Sequence, residues 1–172
     1  LFESMLQRHS FHISKPNAED HPPVAREVPF FQFPGLSLCP DLAHFVFTRH
    51  GGVSDSPFRS LNVSFSAGDR IENVQANLSL IREVTGTRAL RFMNQVHGKN
   101  IAILRKSNFH DHGGPFTADA MITDLAGMAL LVKQADCQAV ILYDPVKKVI
   151  SNVFWTKESI HPVYPAFSGY DL

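Results

Sequence analysis

The sequence predicts an α+β fold, and three observations carry that reading. Strand-like segments outnumber helical ones, they do not alternate regularly with helices, and only one stretch holds a clear helical period. The 172 residues suit one domain, with 44% hydrophobic and 19% charged residues. That balance is ordinary for a globular chain with a sizeable core. Formal net charge is zero, so no electrostatic footprint for nucleic acid or an anionic membrane is expected. No apolar run approaches the roughly 18 residues of a membrane span, and no apolar segment follows a basic start as in a signal peptide. Cys39 and Cys137 make no disulfide framework. A reducing, cytoplasmic setting is expected.

Residues 1 to 27 are rich in His, Pro and charge around Lys15–Pro23. They are expected as a poorly ordered extension, with a short helix near Phe2–Leu6. From Val28 the chain becomes dense in aromatics and reads as domain, over residues 28 to 153. His44–Thr48 reads as a strand running into the turn Arg49-His50-Gly51-Gly52. Ile71, Val74, Leu78, Ile81 and Val84 recur at helical spacing, which predicts a helix over about 70–85 ending near Gly86. Asp69 stands just ahead as a candidate N-cap. Strands follow at Ala89–Met93, Asn100–Leu104, Ala120–Thr123, Met128–Val132, Ala139–Tyr143 and Val149–Phe154. Asp144-Pro145-Val146-Lys147-Lys148 separates the last two and predicts a hairpin.

Four clusters of polar residues interrupt these apolar segments. Thr48–Ser54 with Ser60-Leu61-Asn62 sets Arg49 beside flexible backbone amides, either as an anion cradle or as a tight turn with a surface arginine. Asn94-Gln95-Val96-His97-Gly98 presents a histidine at a strand end, as a ligand or as a structural residue. Gln134-Ala135-Asp136-Cys137-Gln138 holds a cysteine that is a metal ligand, a nucleophile or an inert buried thiol, beside an aspartate able to orient it. Asp119 enters a strand and either contacts substrate or caps a loop, capping being the commoner role. His110 and His112 form a His-x-His pair whose surroundings read as exposed loop.

Together these clusters resemble one family. Thr48–Ser54 with Pro57-Phe58 and Ser60–Asn62, Gly68-Asp69 with Glu72–Val74 and Asn77, Asn94–Gly98, Ala118–Thr123, and Ala135–Val140 with Asp144-Pro145 follow the order and spacing of the laccase-domain purine nucleoside phosphorylases. This is the multicopper polyphenol oxidoreductase-like (DUF152/YfiH-like) family. The likeness runs over about residues 28 to 153. It implies layered mixed β-sheets flanked by helices. It also implies a cytoplasmic, zinc-dependent enzyme that phosphorolyses adenosine, inosine, guanosine and methylthioadenosine, with adenosine deaminase activity besides. Phosphate is then a co-substrate. Carried over residue by residue, His97 and Cys137 are metal ligands, and Arg49, Asn62, Gln95, Asp119 and Asp136 line the site. Two nitrogens and a thiolate leave a fourth zinc position for water or substrate.

The match stops at the family's His-Ala/Cys-Gly-Trp-Arg-Gly block. Phe154 stands where a second zinc histidine is expected, and residues 154 to 172 resemble nothing in the family. The chain is therefore read as a C-terminally truncated or alternatively spliced member, with the C-terminal part of the fold missing and activity weak or absent. Two other readings stay open. One is a non-catalytic isoform that joins an oligomer or a protein partner through an exposed sheet edge. The other is a hydrolase using Cys137 and His97. Copper oxidation fits poorly, because several further His-rich ligand pairs are missing.

Overall fold

A computed structural model describes residues 6–14, 25–87, 89–107, 115–134 and 137–155. The expected helix near Phe2–Leu6 (Leu6 apart), the His110/His112 pair, Asp136 and the tail beyond Trp155 lie outside the described residues. The chain divides into two compact units, Leu1–Gly86 and Thr87–Leu172, and the stretch read as one domain runs through both. Among the described residues, strands and two helices make up the first unit and strands alone the second, so the chain's architecture is α+β.

The first unit is built on the antiparallel sheet β1(Gln7–Ser14)-β2(Ala25–Gln32)-β3(Val46–Phe47). The poorly ordered extension expected over residues 1 to 27 therefore needs correction at Gln7–Ser14 and from Ala25 onward, its other residues, Leu6 apart, lying outside the described ones. Gln7–Ser14 pairs residue for residue with Ala25–Gln32, so backbone hydrogen bonding holds a segment whose polar composition argued against structure. β3 is shorter than the His44–Thr48 strand expected. Its neighbour His44 turns inward, where its Nε2 accepts the Phe33 N–H at 2.7 Å. α1(Pro34–Ser37) is a single turn opened by proline.

α2(Ile71–Thr85) ends at Gly86, whose φ of 67° is the left-handed value that glycine supplies cheaply. Its buried face is Val74, Asn77, Leu78, Leu80, Ile81 and Val84. Leu80 and Val84 pack with Val28, Phe30 and Leu61, flanked by Phe45, Phe47 and Val53. Ile71 lies outside this face and is exposed. The N-cap is Arg70 and not Asp69, because the Asp69 carboxylate is drawn to the preceding loop. It accepts Ser54 Oγ at 2.6 Å and Asn62 Nδ2 at 3.0 Å. These bonds hold its carboxyl below the usual range, Ser54 contributing most.

Fully buried Asn77 ties α2 to that loop. Its Oδ1 accepts the Val53 N–H at 2.8 Å, and its Nδ2 faces Asn62 O, Ser54 Oγ and Ser60 O at 2.7, 2.9 and 3.1 Å. Gly51 and Gly52 let the loop close. A Cβ on Gly51 would meet the backbone of Glu27 and Val28, and one on Gly52 the backbone of Ser60 and Leu61.

The second unit has two sheets. One has the order β5(Ile101–Leu104)-β7(Ala120–Thr123)-β10(Val149–Trp155)-β9(Gln138–Asp144). The other has the order β6(Phe116–Thr117)-β4(Ala89–Asn94)-β8(Met128–Leu131). β5 is parallel to β7, β10 is antiparallel to both neighbours, and β4 is parallel to β6 and β8. The core joins residues of both sheets: Met93, Leu104, Ala118 and Met121, flanked by Ala102, Phe116, Met128, Leu130 and Val132. The expected hairpin is present. Asp144 pairs with Val149, its Oδ1 accepts the N–H of Val146 and Lys147, and Lys148 takes a left-handed φ of 56°. Among the described residues, no helix is long and apolar enough to cross a membrane.

Two outcomes follow for the first unit. Asn77→Ala strands one N–H and the carbonyls that the amide served, at about 1–3 kcal/mol for each buried group left unmade. A loss of about 3 kcal/mol in urea unfolding is expected, and a loss under 1 would contradict it. His44 is 4% exposed, and burial lowers its pKa from the ordinary 6.5. The fold thus favours its neutral form. The stability it contributes is complete above 6.5 and drains away as pH falls below that value towards the folded pKa. The urea midpoint should drop between about pH 7.5 and 5.5, and by less in His44→Gln. Equal drops would remove His44 as the cause.

Candidate functional site

Asp119 is the centre of the second unit's polar cluster. It sits between β6 and β7 and is 3% exposed. Its Oδ1 accepts the backbone N–H of Val96 and of His97, each at 2.9 Å, and its Oδ2 accepts that of Gly98 at 2.8 Å. Both oxygens therefore hold the loop after β4. A Cβ on Gly98 would come within 3.3 Å of Oδ2, so glycine suits the close approach. Asp119's own N–H donates to Asn100 O at 2.9 Å, and its carbonyl accepts the Phe154 N–H at 2.8 Å. One residue thus fixes the His97 loop, the entry to β5 and the end of β10.

His97 takes a left-handed backbone with φ of 59°, an uncommon state for a residue with a Cβ. Its side chain is exposed on one side. On the other, its ring meets Phe154 edge-on, with centroids 5.1 Å apart and planes at 81°. Gln95 Nε2 donates to Lys133 O at 2.8 Å, which ties the same loop to the segment leading to Cys137. Half-buried Cys137 lies one residue before β9 and two before Ala139, the register partner of Phe154.

The structure thus brings Gln95, His97 and Asp119 together in the second unit, with Cys137 at the adjoining strand start. Arg49 and Asn62 belong to the first unit. Arg49 Nε donates to Arg59 O at 2.8 Å, which orients the guanidinium. Asn62 closes an Asx turn by accepting the Ser64 N–H, and its amide donates to Asp69.

Two residues went unmarked in the sequence. Lys133 anchors Gln95 through its carbonyl, and its ammonium stands 5.4 Å over the Phe92 ring; burial lowers its pKa. Asn152 is 5% exposed, with both amide atoms unpartnered. Its signal was available as an amide inside Val149-Ile150-Ser151-Asn152-Val153-Phe154.

A family described as multi-copper polyphenol oxidoreductase laccase matches residues 43–154. The chain belongs to this family. It is 42% identical to a purine nucleoside phosphorylase of Streptomyces coelicolor over 110 residues, covering 62% of this chain and 45% of that protein. A purine nucleoside phosphorylase of Bacteroides thetaiotaomicron is 30% identical over 137 residues, covering 76% of this chain and 51% of that protein. The chain thus spans about half the length of the curated relatives it matches. The crystal structure of YlmD from Geobacillus stearothermophilus superposes with a TM-score of 0.65 at 24% identity, over 86% of this chain and 54% of that one. That likeness concerns the fold.

Among the described residues, the donors do not fit the zinc site that the resemblance implies. Among the described residues, no three His, Cys, Asp or Glu side chains gather where one ion could join them. Phe154 lies against His97, and a phenyl ring has no lone pair to give.

Asp119→Ala removes the acceptor from three backbone N–H groups. Amide exchange at Val96, His97 and Gly98 is expected to quicken by at least about tenfold, with a stability loss of about 3 kcal/mol. Unchanged protection would show that the loop is held by something else.

Proposed function

We propose that this chain is a purine nucleoside phosphorylase-like protein that binds purine nucleosides and turns them over weakly or not at all. The observation that carries this reading is the Asp119 cradle. A left-handed histidine in a loop whose three successive N–H groups bind one buried carboxylate is the kind of outlier that collects at functional sites. The purine nucleoside phosphorylase relatives support purine nucleosides as the class, and the family resemblance narrows the proposal to adenosine, inosine, guanosine and methylthioadenosine.

In phosphorolysis, an oxygen of phosphate forms a bond to the anomeric carbon as the glycosidic bond breaks and the purine leaves with the electron pair. Within the first unit, taken by itself, Arg49 is oriented by the Arg59 carbonyl and followed by Gly51-Gly52, which suits it to hold an anion. Gln95 and His97 face the base or sugar, and a proton from His97 stabilises the departing purine. Asp119 holds His97 in place. Asn62 shapes the Arg49 loop, and Asp136 remains a candidate beside Cys137. Zinc dependence and deamination of adenosine, as the resemblance implies them, require a donor set that Phe154 interrupts, which is why weak turnover is expected. A second reading, a non-catalytic role in binding a protein, is favoured by β9. It is a sheet edge among the described residues, with Leu142 43% exposed.

Inosine binding followed by NMR, together with hypoxanthine release in phosphate buffer, tests the proposal. Saturable binding is expected, lost in His97→Ala, with turnover lower by more than about 100-fold than in the Streptomyces coelicolor relative. Absence of binding by any of the four nucleosides, or turnover equal to the relative's, would overturn it. Release of inosine from adenosine is measured on the same samples and is expected to be equally low.

A further inference from the structure

We propose that the Phe154 ring occupies the place of a metal donor, so that the chain holds no divalent ion tightly, and that Phe154→His alone completes a three-donor site with His97 and Cys137. The inference rests on the geometry of the site proposed above, not on its nucleoside chemistry.

The separation of the two rings is the first argument. Two imidazoles on one tetrahedral zinc, each with Zn–N of about 2.0–2.1 Å, have ring centres about 5.2 Å apart. The His97 and Phe154 centroids are 5.1 Å apart. The spacing is that of an ordinary edge-to-face ring contact and is also compatible with two donors sharing one ion.

The second argument is that the spacing does not depend on the phenyl ring. Asp119 holds the backbone of residue 97 through its carboxylate and that of residue 154 through its carbonyl. Replacing the side chain at 154 leaves both attachments in place.

The third argument concerns the sulfur. Phe154 pairs with Ala139 across β10 and β9. Cys137 sits at a bend one residue before β9 begins, two residues along the chain from Ala139. The Gln95–Lys133 bond ties the His97 loop to Lys133, four residues before Cys137 in the sequence. The face is also not wholly apolar. Asn152, two residues before Phe154, carries a buried amide with both polar atoms unpartnered. Its oxygen offers an acceptor for the second ring N–H of an introduced imidazole, the usual support for a metal-bound histidine.

The test uses the full 172-residue chain, wild type and Phe154→His. Each is incubated with zinc sulfate, gel-filtered into metal-free buffer and assayed for zinc by mass spectrometry. Cobalt(II) loading, read by absorption, reports thiolate coordination. Phe154→His should retain about one zinc per chain, at least about tenfold more than wild type, and show the thiolate-to-cobalt band. Adding Cys137→Ala should abolish both. Should near-UV circular dichroism show that Phe154→His does not fold, Phe154→Cys offers a smaller donor for the same measurement. Stoichiometric zinc in the wild type, or no retention in a folded donor variant, would overturn the proposal. Inosine binding on the same samples is a separate readout, so failure of the nucleoside reading is distinguishable from failure of this one.

Discussion

The arrangement of the second unit depends on one buried carboxylate. Asp119 has two oxygens and spends both on the backbone of Val96, His97 and Gly98. Charged acceptors make shorter and stronger hydrogen bonds than neutral ones, and a buried carboxylate without donors would be costly. The loop therefore satisfies the aspartate as much as the aspartate holds the loop. Because its carbonyl also receives the Phe154 N–H, the loop after β4 and the end of β10 cannot shift independently. A histidine at the tip of such a loop keeps a left-handed backbone that a freely moving loop would relax.

The first unit solves a similar problem with a neutral group. Asn77 buries an amide in an otherwise apolar helix face and joins Val53, Ser54, Ser60 and Asn62 through it. Asp69 then reaches the same loop from outside the helix and binds Ser54 and Asn62. In both units a long polar loop is held by one side chain whose acceptors or donors are fully used. Polar residues that lead with such bonds act on function through position. Asn62 in particular has its amide committed to Ser64 and Asp69.

Much of this was legible in the sequence where local signals agree. Ala120–Thr123 is a run of apolar and β-branched residues, and β7 occupies those four positions. The Asp144-Pro145 turn between two apolar runs became the β9–β10 hairpin because the Asp144 carboxylate caps two N–H groups in that turn. The helical period located α2 to within a residue at its start. The N-terminal hairpin was illegible for a physical reason. β1 is an edge strand carrying Arg8, His9, Ser10 and His12, and its polar pattern resembles that of a loop. β2 is the central strand of the sheet yet contains Pro29, which cannot donate to a ladder; its carbonyl still accepts the Thr48 N–H at 3.3 Å. The site was legible as a set of residue types but not as a set of roles. A lone Asp before a strand says nothing of which three amides it will meet.

That gap between type and role bears on how the family's motif is to be read in this chain. Asp119, Gly98 and the backbone of His97 form a unit that stability alone accounts for. Removing the buried carboxylate that accepts three N–H groups would cost about 1–3 kcal/mol, a large fraction of a typical fold's margin. The bonds from Val96, His97 and Gly98 to Asp119 are therefore ones that folding itself uses, whether or not a reaction takes place there. Position 154 is under no such demand. Its backbone N–H serves Asp119, but its side chain has only to fill space, and a buried phenyl ring at 6% exposure does that well. The scaffold thus separates two constraints that a motif search treats as one. The residues that hold the loop do so through their hydrogen bonds, while the side chain at 154 takes no part in them.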